Sequence, residues 1–371
     1  MANRPLSLLA NYSSLTTEEK TMPTVRTIKV ETLANSHCHL RKKELAVILA
    51  LLAISGRADA FGIMPNVGDG LKTAREVSRY IEHIRSGLRE AGSEPVNLIP
   101  MMMVTEKTDP DEINQCVEMG IWDVKIYPLD RTTGSGGGVR DYQKILLVIR
   151  RCGELGVRVH FHPEHPWSLF NNRDAEYAFL SVVDMFLRET EAKIFWEHGT
   201  DARCIPFWEE MGKTGRFFIT LTAHHLATDE DEVFGDVRGV CKPPIKTRED
   251  KEALINFVRR NHNWVIAGLD DAPHNRDAKH PSEGRCACGA YTAPFGLQLY
   301  AHALDKLLET EEGITTFVNF TSRNARRVFN LSSGRIVTLR REPFKIPATY
   351  EADDWVIESF WAGQTLNWSL L

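Results

Sequence analysis

The sequence lacks the features that would place it in a membrane, on nucleic acid or in a disulfide-stabilised scaffold. Its longest apolar run, Leu45 to Ile54, falls far short of the roughly 20 residues needed to cross a bilayer. A net charge of -5 gives no electrostatic reason to expect nucleic acid or an anionic membrane surface as a partner. Seven cysteines, an odd number spread along 371 residues, do not form the pattern of a disulfide framework. These absences predict a cytoplasmic protein that acts on a small molecule.

The body of the chain also lacks internal repeats, low-complexity tracts and linkers, so we expect one domain over residues 26–371. With 43% hydrophobic and 26% charged residues, that domain can bury a sizeable core. Residues 1–25 have no long apolar stretch, and we expect a flexible N-terminal tail. A mitochondrial transit peptide is the alternative, but the acidic pair Glu18-Glu19 opposes it.

Short apolar runs alternate with amphipathic stretches along the body of the chain. The candidate strands are Thr27–Leu33, Ala60–Met64, Val96–Val104, Val124–Tyr127, Val157–His162, Lys193–Trp196, Phe217–Leu221 and Trp264–Gly268. The main candidate helices are Leu71–Ala91, Val139–Leu155, Ala175–Glu191, Glu249–Asn261 and Pro294–Leu308. This alternation predicts parallel strands, and eight of them favour an α/β fold of the (β/α)₈ TIM-barrel type. An open sheet is the alternative, because closure is not visible in a sequence.

Several ligand-type residues stand where the candidate strands end. His37 and His39 lie two residues apart, and in an extended segment their imidazoles point to the same side. Such a pair alone is also common on surfaces and in cores. The remaining ligand-type residues at strand ends are His162, His198 and Asp270. Because the carboxyl ends of barrel strands converge on one mouth, these residues predict a metal centre with donors suited to Zn²⁺.

Lys125 lies within an apolar candidate strand, where a free ammonium is costly to bury. The lysine either extends to solvent or pairs with a carboxylate, or its amine is carboxylated by CO₂ and bridges two metal ions. The spacing of residues does not choose between these interpretations.

Other polar positions also have two interpretations. Arg41 offers a planar fork for a carboxylate or forms a structural ion pair, and Asn66 binds substrate or shapes a loop. The glycine-rich segment from Arg131 to Gly138 is a mobile lid or a passive loop. For Cys286 and Cys288 we favour ordinary loop thiols over a structural zinc site with His280, and for His160 a buried structural role.

Taken in order, the motifs resemble those of class II dihydroorotases, which belong to the amidohydrolase superfamily. The likeness covers nearly everything after the tail and reaches the C-terminal stretch from Phe360 to Trp368. The motifs are His37-x-His39-x-Arg41, Met64-Pro65-Asn66, Val124-Lys125-Ile126-Tyr127-Pro128, His162-Pro163-Glu164, Glu197-His198, His225-Leu226 and Gly268-Leu269-Asp270-Asp271-Ala272-Pro273-His274.

This resemblance implies a zinc-dependent cyclic amide hydrolase that interconverts N-carbamoyl-L-aspartate and L-dihydroorotate in pyrimidine biosynthesis. It implies a homodimer with two Zn²⁺ per subunit, a metal-activated hydroxide, and Asp270 as general base and acid. The implied metal ligands are His37, His39, carboxylated Lys125, His162, His198 and Asp270. The implied substrate-binding residues are Arg41, Asn66 and His274 for the carboxylate, Leu226 and Ala293 for the ring, and Thr132 and Thr133 on a mobile loop.

The sequence departs from the family pattern at Asn35, Ser36 and Pro163, where an acidic residue, an aromatic residue and a glycine are usual. These positions surround the ligands, and such neighbours change metal affinity or activity by roughly 10–100-fold. Two alternatives therefore stay open: a hydantoinase- or allantoinase-like enzyme, and a non-catalytic relative. The presence of all six ligand residues opposes the second alternative.

Overall fold

The computed structural model describes residues 26–131, 135–166 and 170–371. The predicted tail, residues 1–25, therefore lies outside the described residues. Fifteen strands are found within them. They are β1 Thr27–Glu31, β2 Leu33–Cys38, β3 Ala58–Ile63, β4 Asn97–Val104, β5 Asp123–Ile126, β6 Arg158–Phe161, β7 Lys193–Trp196, β8 Phe217–Leu221, β9 Val265–Ala267, β10 Ile336–Arg340, β11 Phe344–Lys345, β12 Thr349–Ala352, β13 Trp355–Glu358, β14 Thr365–Leu366 and β15 Ser369–Leu370.

Helices follow the barrel strands and pack around them. Helix α2 begins with a capping box between Thr73 and Glu76, and buries one apolar stripe that includes Ile81 and Ile84. The helices of the described residues are α1 Lys43–Ser55, α2 Ala74–Glu90, α3 Pro110–Glu118, α4 Leu146–Leu155, α5 Ala175–Ala178, α6 Leu180–Glu189, α7 Ile205–Gly212, α8 Ala223–Ala227, α9 Arg248–Arg259, α10 Arg276–Lys279, α11 Gly296–Ala303, α12 Glu311–Val318 and α13 Asn324–Phe329.

Strands β2 to β9 form one parallel sheet in sequence order. The sheet closes where its last strand returns to its first. The Asp270 N–H donates to the His37 carbonyl at 2.9 Å, and the His39 N–H donates to the Asp271 carbonyl at 3.2 Å. The prediction of a (β/α)₈ barrel is confirmed, and the open sheet is excluded.

The first candidate strand, Thr27–Leu33, was predicted wrongly. The structure divides this segment at Thr32: β1 pairs antiparallel with β10 outside the barrel, and β2 is the first barrel strand. The Thr32 N–H donates to the Arg335 carbonyl and its hydroxyl donates to Asp59, so the chain turns at this residue. Strand β2 is buried at every position, but it contains Asn35, Ser36 and His37, so its sequence does not show the apolar run expected of a buried strand.

The amino end of the barrel is filled by apolar side chains, which leaves the carboxyl end for the site. Phe195 and Ile266 point into the interior, and Phe329 of α13 closes it from below. The His160 ring stacks on Phe195 at 4.2 Å between centroids, so the polar interior begins directly above this layer. Within the described part of the chain, no helix has the length and apolar character to span a membrane.

Candidate active site

All six predicted metal ligands lie at the carboxyl end of the barrel, and each is buried. Every one of them is within a barrel strand or in the residues directly after it, as the geometry of parallel strands requires. Five of the six line one cavity, and Lys125 lies beside it with its amine close enough to affect their charges. The five that line the cavity are His37, His39, His162, His198 and Asp270.

Two histidines converge on one carboxylate oxygen. The Nε2 atoms of His37 and His39 lie 3.1 and 3.0 Å from Oδ1 of Asp270. Burial alone would raise the pKa of Asp270, but His37 and His39 hold it well below its usual value. Burial lowers the pKa of His39 to about 4, so this imidazole is in the neutral form that binds metals. The three side chains form a preassembled two-nitrogen, one-oxygen donor set.

The second group of side chains surrounds His198. Its ring centroid lies 4.5 Å from that of His162 and 5.1 Å from that of His37. Burial lowers the pKa of both His162 and His198. The Lys125 amine is fully buried, and burial lowers its pKa to about 8 against the opposing effect of Glu197 and Asp270. A neutral amine is the form that reacts with CO₂, so this environment suits the carboxylated state.

The backbone at this end of the barrel is strained. Arg41, His198 and Asp270 adopt positive φ angles of 63°, 41° and 48°. Non-glycine residues rarely occupy this region, and such strain clusters at functional sites. It turns the side chains of His198 and Asp270 inward directly after their strands end.

The residues present fit a metal centre. Among the described residues, the Lys125 Nζ and His198 Nδ1 atoms are buried without a hydrogen-bond partner. One ligand atom from each of His37, His198 and Asp270 can be chosen so that all three lie within 4.8 Å of one another. Buried polar atoms are normally paired, so two unpaired atoms beside a compact N/O donor set indicate a group that completes them.

A network of charged and polar side chains behind the ligands orients the His37 imidazole. Glu197 accepts from His37 Nδ1 at 2.7 Å and contacts His160 Nδ1 at 2.6 Å. His160 reaches Asp123 at 2.9 Å, and Asp123 is held by two hydrogen bonds from Arg158. His160 therefore has the buried role that we predicted. Carboxylates that fix the orientation of ligating histidines are typical of metal sites.

The sequence interpretation missed the role of Glu197, although its position beside His198 in an apolar segment was a usable signal. It also missed Glu164, whose Oε2 atom lies 2.8 Å from His162 Nε2. Glu164 and Glu197 are both fully buried. Fully buried carboxylates need a partner, and here each partner is a predicted metal ligand.

Arg41, Asn66 and His274 lie together on one wall of the cavity. Arg41 Nη2 is 3.2 Å from His274 Nε2, and the Nε atom of Arg41 donates to the Pro273 carbonyl. Burial lowers the pKa of His274 to about 3, with a contribution from Arg41. Asn66 Oδ1 lies 2.8 Å from His39 Nδ1, which joins this wall to the metal ligands. A guanidinium beside a neutral imidazole and an amide is a suitable receptor for a carboxylate.

The resemblance implies that Leu226 and Ala293 contact the ring largely through backbone groups, and this stays a prediction. Leu226 and Ala293 are buried in the packed core and do not line the cavity formed by the described residues. The residues that line the cavity include Lys242, Cys288 and Gly289. Leu226 lies on the buried helix α8, and the Ala293 carbonyl lies against Gly56, which follows α1. Thr132 and Thr133 lie outside the described residues.

Two of the three departures from the family pattern, Asn35 and Ser36, are accommodated by hydrogen bonds. Asn35 donates to Asp271 Oδ1 at 2.9 Å and accepts from the Leu269 N–H at 2.8 Å. Ser36 donates to the Ala267 carbonyl at 2.8 Å. Both residues thus join β2 to the segment at the end of β9. His280, which the less favoured zinc-site interpretation paired with Cys286 and Cys288, contacts Glu358 at 2.6 Å.

Comparisons with known proteins identify the family of this chain. No family model matches the sequence. The chain is 31% identical over 344 residues to a dihydroorotase of Halorhodospira halophila, which covers 90% of this chain and 96% of that protein. The crystal structure of a Saccharomyces cerevisiae dihydroorotase with 5-fluoroorotic acid has a TM-score of 0.84 and 25% identity, covering 94% and 99% of the two chains. The L-hydantoinase of Arthrobacter aurescens shares the fold at a TM-score of 0.74 and 11% identity, over 93% and 83% of the chains. With this identity sustained over nearly the whole of both sequences, the chain belongs to the dihydroorotase family.

Proposed function

We propose that this protein is a dihydroorotase that reversibly cyclises N-carbamoyl-L-aspartate to L-dihydroorotate. The observation that carries the proposal is the convergence of two histidines on Asp270 beside an Arg41–Asn66–His274 wall in the same cavity. The first group of residues suits hydrolytic chemistry, and the wall suits a substrate that bears a carboxylate. The ligand of the yeast relative, 5-fluoroorotic acid, is a pyrimidine carboxylate, which supports this substrate class.

We further propose two Zn²⁺ ions as cofactors. His37, His39 and Asp270 would hold one ion, and His162 and His198 would hold the other, with carboxylated Lys125 shared between them. When bound, such ions lower the pKa of water and polarise a carbonyl oxygen. Glu197 and Glu164 keep His37 and His162 oriented by the hydrogen bonds described above.

Asp270 is the proposed proton carrier. Its carboxylate is ionised and lies at the centre of the cluster, so it can take the proton of the attacking water. The water oxygen bonds to the ring carbonyl carbon and the ring C–N bond breaks. Asp270 then delivers the proton to the departing amide nitrogen, and cyclisation is the reverse of this sequence.

Arg41, Asn66 and His274 are the proposed carboxylate receptor. A hydantoin without a carboxylate leaves this buried guanidinium without a counter-charge, which weakens binding. This wall therefore favours dihydroorotate over the substrates of hydantoinase-like relatives. We expect Arg41→Met to lose the selectivity for dihydroorotate over hydantoin.

The test is a metal-dependent rate measurement with dihydroorotate, N-carbamoyl-L-aspartate and hydantoin. We expect turnover of the first two, loss of turnover after chelation and recovery on adding Zn²⁺. Turnover of hydantoin alone would support the hydantoinase alternative. No turnover of any substrate by protein that holds its full metal content would support a non-catalytic relative.

The carboxylated lysine has its own test. Native mass spectrometry of the zinc-loaded protein should show the added mass of one CO₂, and Lys125→Gln should remove it. An unmodified amine in active, fully loaded protein would contradict the proposed bridge.

We also propose that the enzyme works in the cytoplasm. All seven cysteines are free thiols and five of them are buried, which agrees with a reducing compartment. The homodimer stays a prediction, which sedimentation analysis of the purified protein can test.

A further inference from the structure

A second group of ligand-type side chains lies outside the catalytic cluster. We call His224, His225 and Cys241 the thiol pocket. One ligand atom from each residue can be chosen so that all three lie within 4.8 Å of one another, and all three residues are buried. The two histidines lie on the short helix α8, and Cys241 comes from the loop that follows it. The thiol pocket contains none of the six predicted metal ligands of the active site.

His224 is the unusual member of this group. The side chain is 0% exposed, and neither ring nitrogen has a hydrogen-bond partner among the described residues. A neutral imidazole always carries one N–H donor and one acceptor, so both are left unsatisfied inside the protein. Buried polar groups are nearly always paired, which indicates that a group absent from the polypeptide contacts this ring.

The other two members have the geometry of ligands to one ion. Cys241 Sγ lies 3.6 Å from His225 Nε2. A tetrahedral zinc ion, with bonds of about 2.3 Å to sulfur and about 2.0–2.1 Å to nitrogen, places these two atoms about 3.6 Å apart. Both atoms donate to the Pro243 carbonyl, at 3.2 and 3.1 Å, and a bound cation would replace these two hydrogen bonds.

Neighbouring residues support this arrangement. His225 Nδ1 lies 2.7 Å from Thr222 Oγ1, the kind of contact that fixes the orientation of a ligating imidazole. Burial and the nearby Asp270 raise the pKa of Cys241, and the buried Lys279 ammonium, which donates to the Val240 carbonyl at 3.1 Å, opposes this rise. The thiolate therefore forms only together with a bound cation, which deprotonates the thiol that ligates it. A cleft of 740 Å³ lined by Cys241, Lys242 and Cys288 offers an entry path.

We propose that His224, His225 and Cys241 form a further metal site, separate from the catalytic centre, that takes a zinc-class divalent cation through two imidazole nitrogens and one thiolate. On binding, Cys241 releases its proton to solvent. The ring proton of His225 moves from Nε2 to Nδ1, where Thr222 Oγ1 accepts it. An N₂S donor set of this kind is suited to Zn²⁺ and excludes Mg²⁺ and Ca²⁺.

Cobalt(II) spectroscopy distinguishes this site from the catalytic one. The metal-free full-length protein, kept reduced, is titrated with Co²⁺ and followed in the near ultraviolet. A thiolate bound to Co²⁺ gives a charge-transfer band that nitrogen and oxygen ligands do not give. We expect this band in the wild type and its loss in Cys241→Ser. The double variant Cys286→Ser/Cys288→Ser is the matched control and should keep the band, because it removes the two partly exposed thiols of the same cleft.

His224→Gln provides a second variant that keeps the thiol. We expect the band to require at least a tenfold higher Co²⁺ concentration in this variant. Absence of the band in Co²⁺-saturated wild type would overturn the proposal, and so would a band that survives in Cys241→Ser. The inference does not depend on the enzymatic activity, since the band is read without substrate.

Discussion

The two ends of the barrel treat buried charge in opposite ways. At the amino end, Arg326, Asp59, Thr32 and Ser322 form a hydrogen-bonded polar cluster. The Arg326 guanidinium makes hydrogen bonds through all three of its nitrogens. At the carboxyl end, the Lys125 amine and His198 Nδ1 remain unpaired among the described residues. The polar side chains are buried at both ends. They differ in that those of the amino end are fully hydrogen-bonded, whereas some of those at the carboxyl end are not. A satisfied cluster indicates stability, whereas an unsatisfied one indicates function.

The largest expected effect tests the functional end. Asp270→Asn should lower kcat by about 10²–10⁴-fold or more, because the amide cannot accept a proton from water. The circular dichroism spectrum should match that of the wild type. Asp201→Asn is the control, since this buried carboxylate contacts Arg203 and Lys246 away from the cavity. Near wild-type kcat in Asp270→Asn would show that Asp270 is not the proton carrier, and would contradict the assignment of the carboxyl end to function.

The next effect tests the stabilising end. Arg326→Met removes the buried partner of Asp59 and leaves it with only the half-exposed Arg335, at 3.9 Å, as a charged partner, so the free energy of unfolding should fall by about 3–5 kcal/mol. The kcat of the folded fraction should not change. The exposed Arg323, paired with Glu31 at 2.7 Å, is the matched control, and Arg323→Met should cost about 1 kcal/mol or less. Urea unfolding measures both, and equal losses would contradict the assigned burial.

A smaller effect tests the layer between the two ends. Glu197→Gln weakens the contacts to His37 and His160, and we expect metal affinity to fall by roughly 10–100-fold. Competition with a chromogenic chelator measures this change. Glu176→Gln alters another buried carboxylate that contacts Lys246 and Thr200, and it should leave metal affinity unchanged. An unchanged affinity in Glu197→Gln would show that Glu197 serves the fold alone.

The smallest effect concerns a surface pair that belongs to neither end. His280 is exposed and contacts Glu358 at 2.6 Å. His280→Gln should change the free energy of unfolding by about 0.5 kcal/mol or less and leave zinc content unaltered. A loss of one zinc in this variant would restore the structural zinc site with Cys286 and Cys288.

The sequence predicted most of the barrel, because periodic apolar runs survive in a single chain. Strands β7 and β8 were predicted with their observed bounds. Strand β2 was missed because its buried residues are polar and make bonds across the closure, which no local pattern reveals. The short strands β10 to β15 were not predicted: β10 and β15 depend on pairing between distant segments, and β12 and β13 form a short hairpin that was also missed.

The site was predictable as a set of ligand residues but not as a network. Strand ends predicted that His37, His162 and Asp270 would meet, since the fold brings those ends together. The relay from Arg158 through His160 to Glu197 depends on inward-facing side chains of different strands, whose mutual contacts have no sequence signal. The placement of Lys242 and Gly289 on the cavity wall depends on loop paths, which are equally silent in sequence.

The hydrogen bond from the Asp270 amide to the His37 carbonyl has a consequence for the order of assembly. The partners of the ligand set, His39 and Asp270, are 231 residues apart in sequence, and they meet only when the final barrel strand docks against the first. A nascent chain that has not yet released its eighth strand from the ribosome therefore has no complete catalytic centre. Shorter folding intermediates are therefore inactive, and activity requires that β9 has docked against β2.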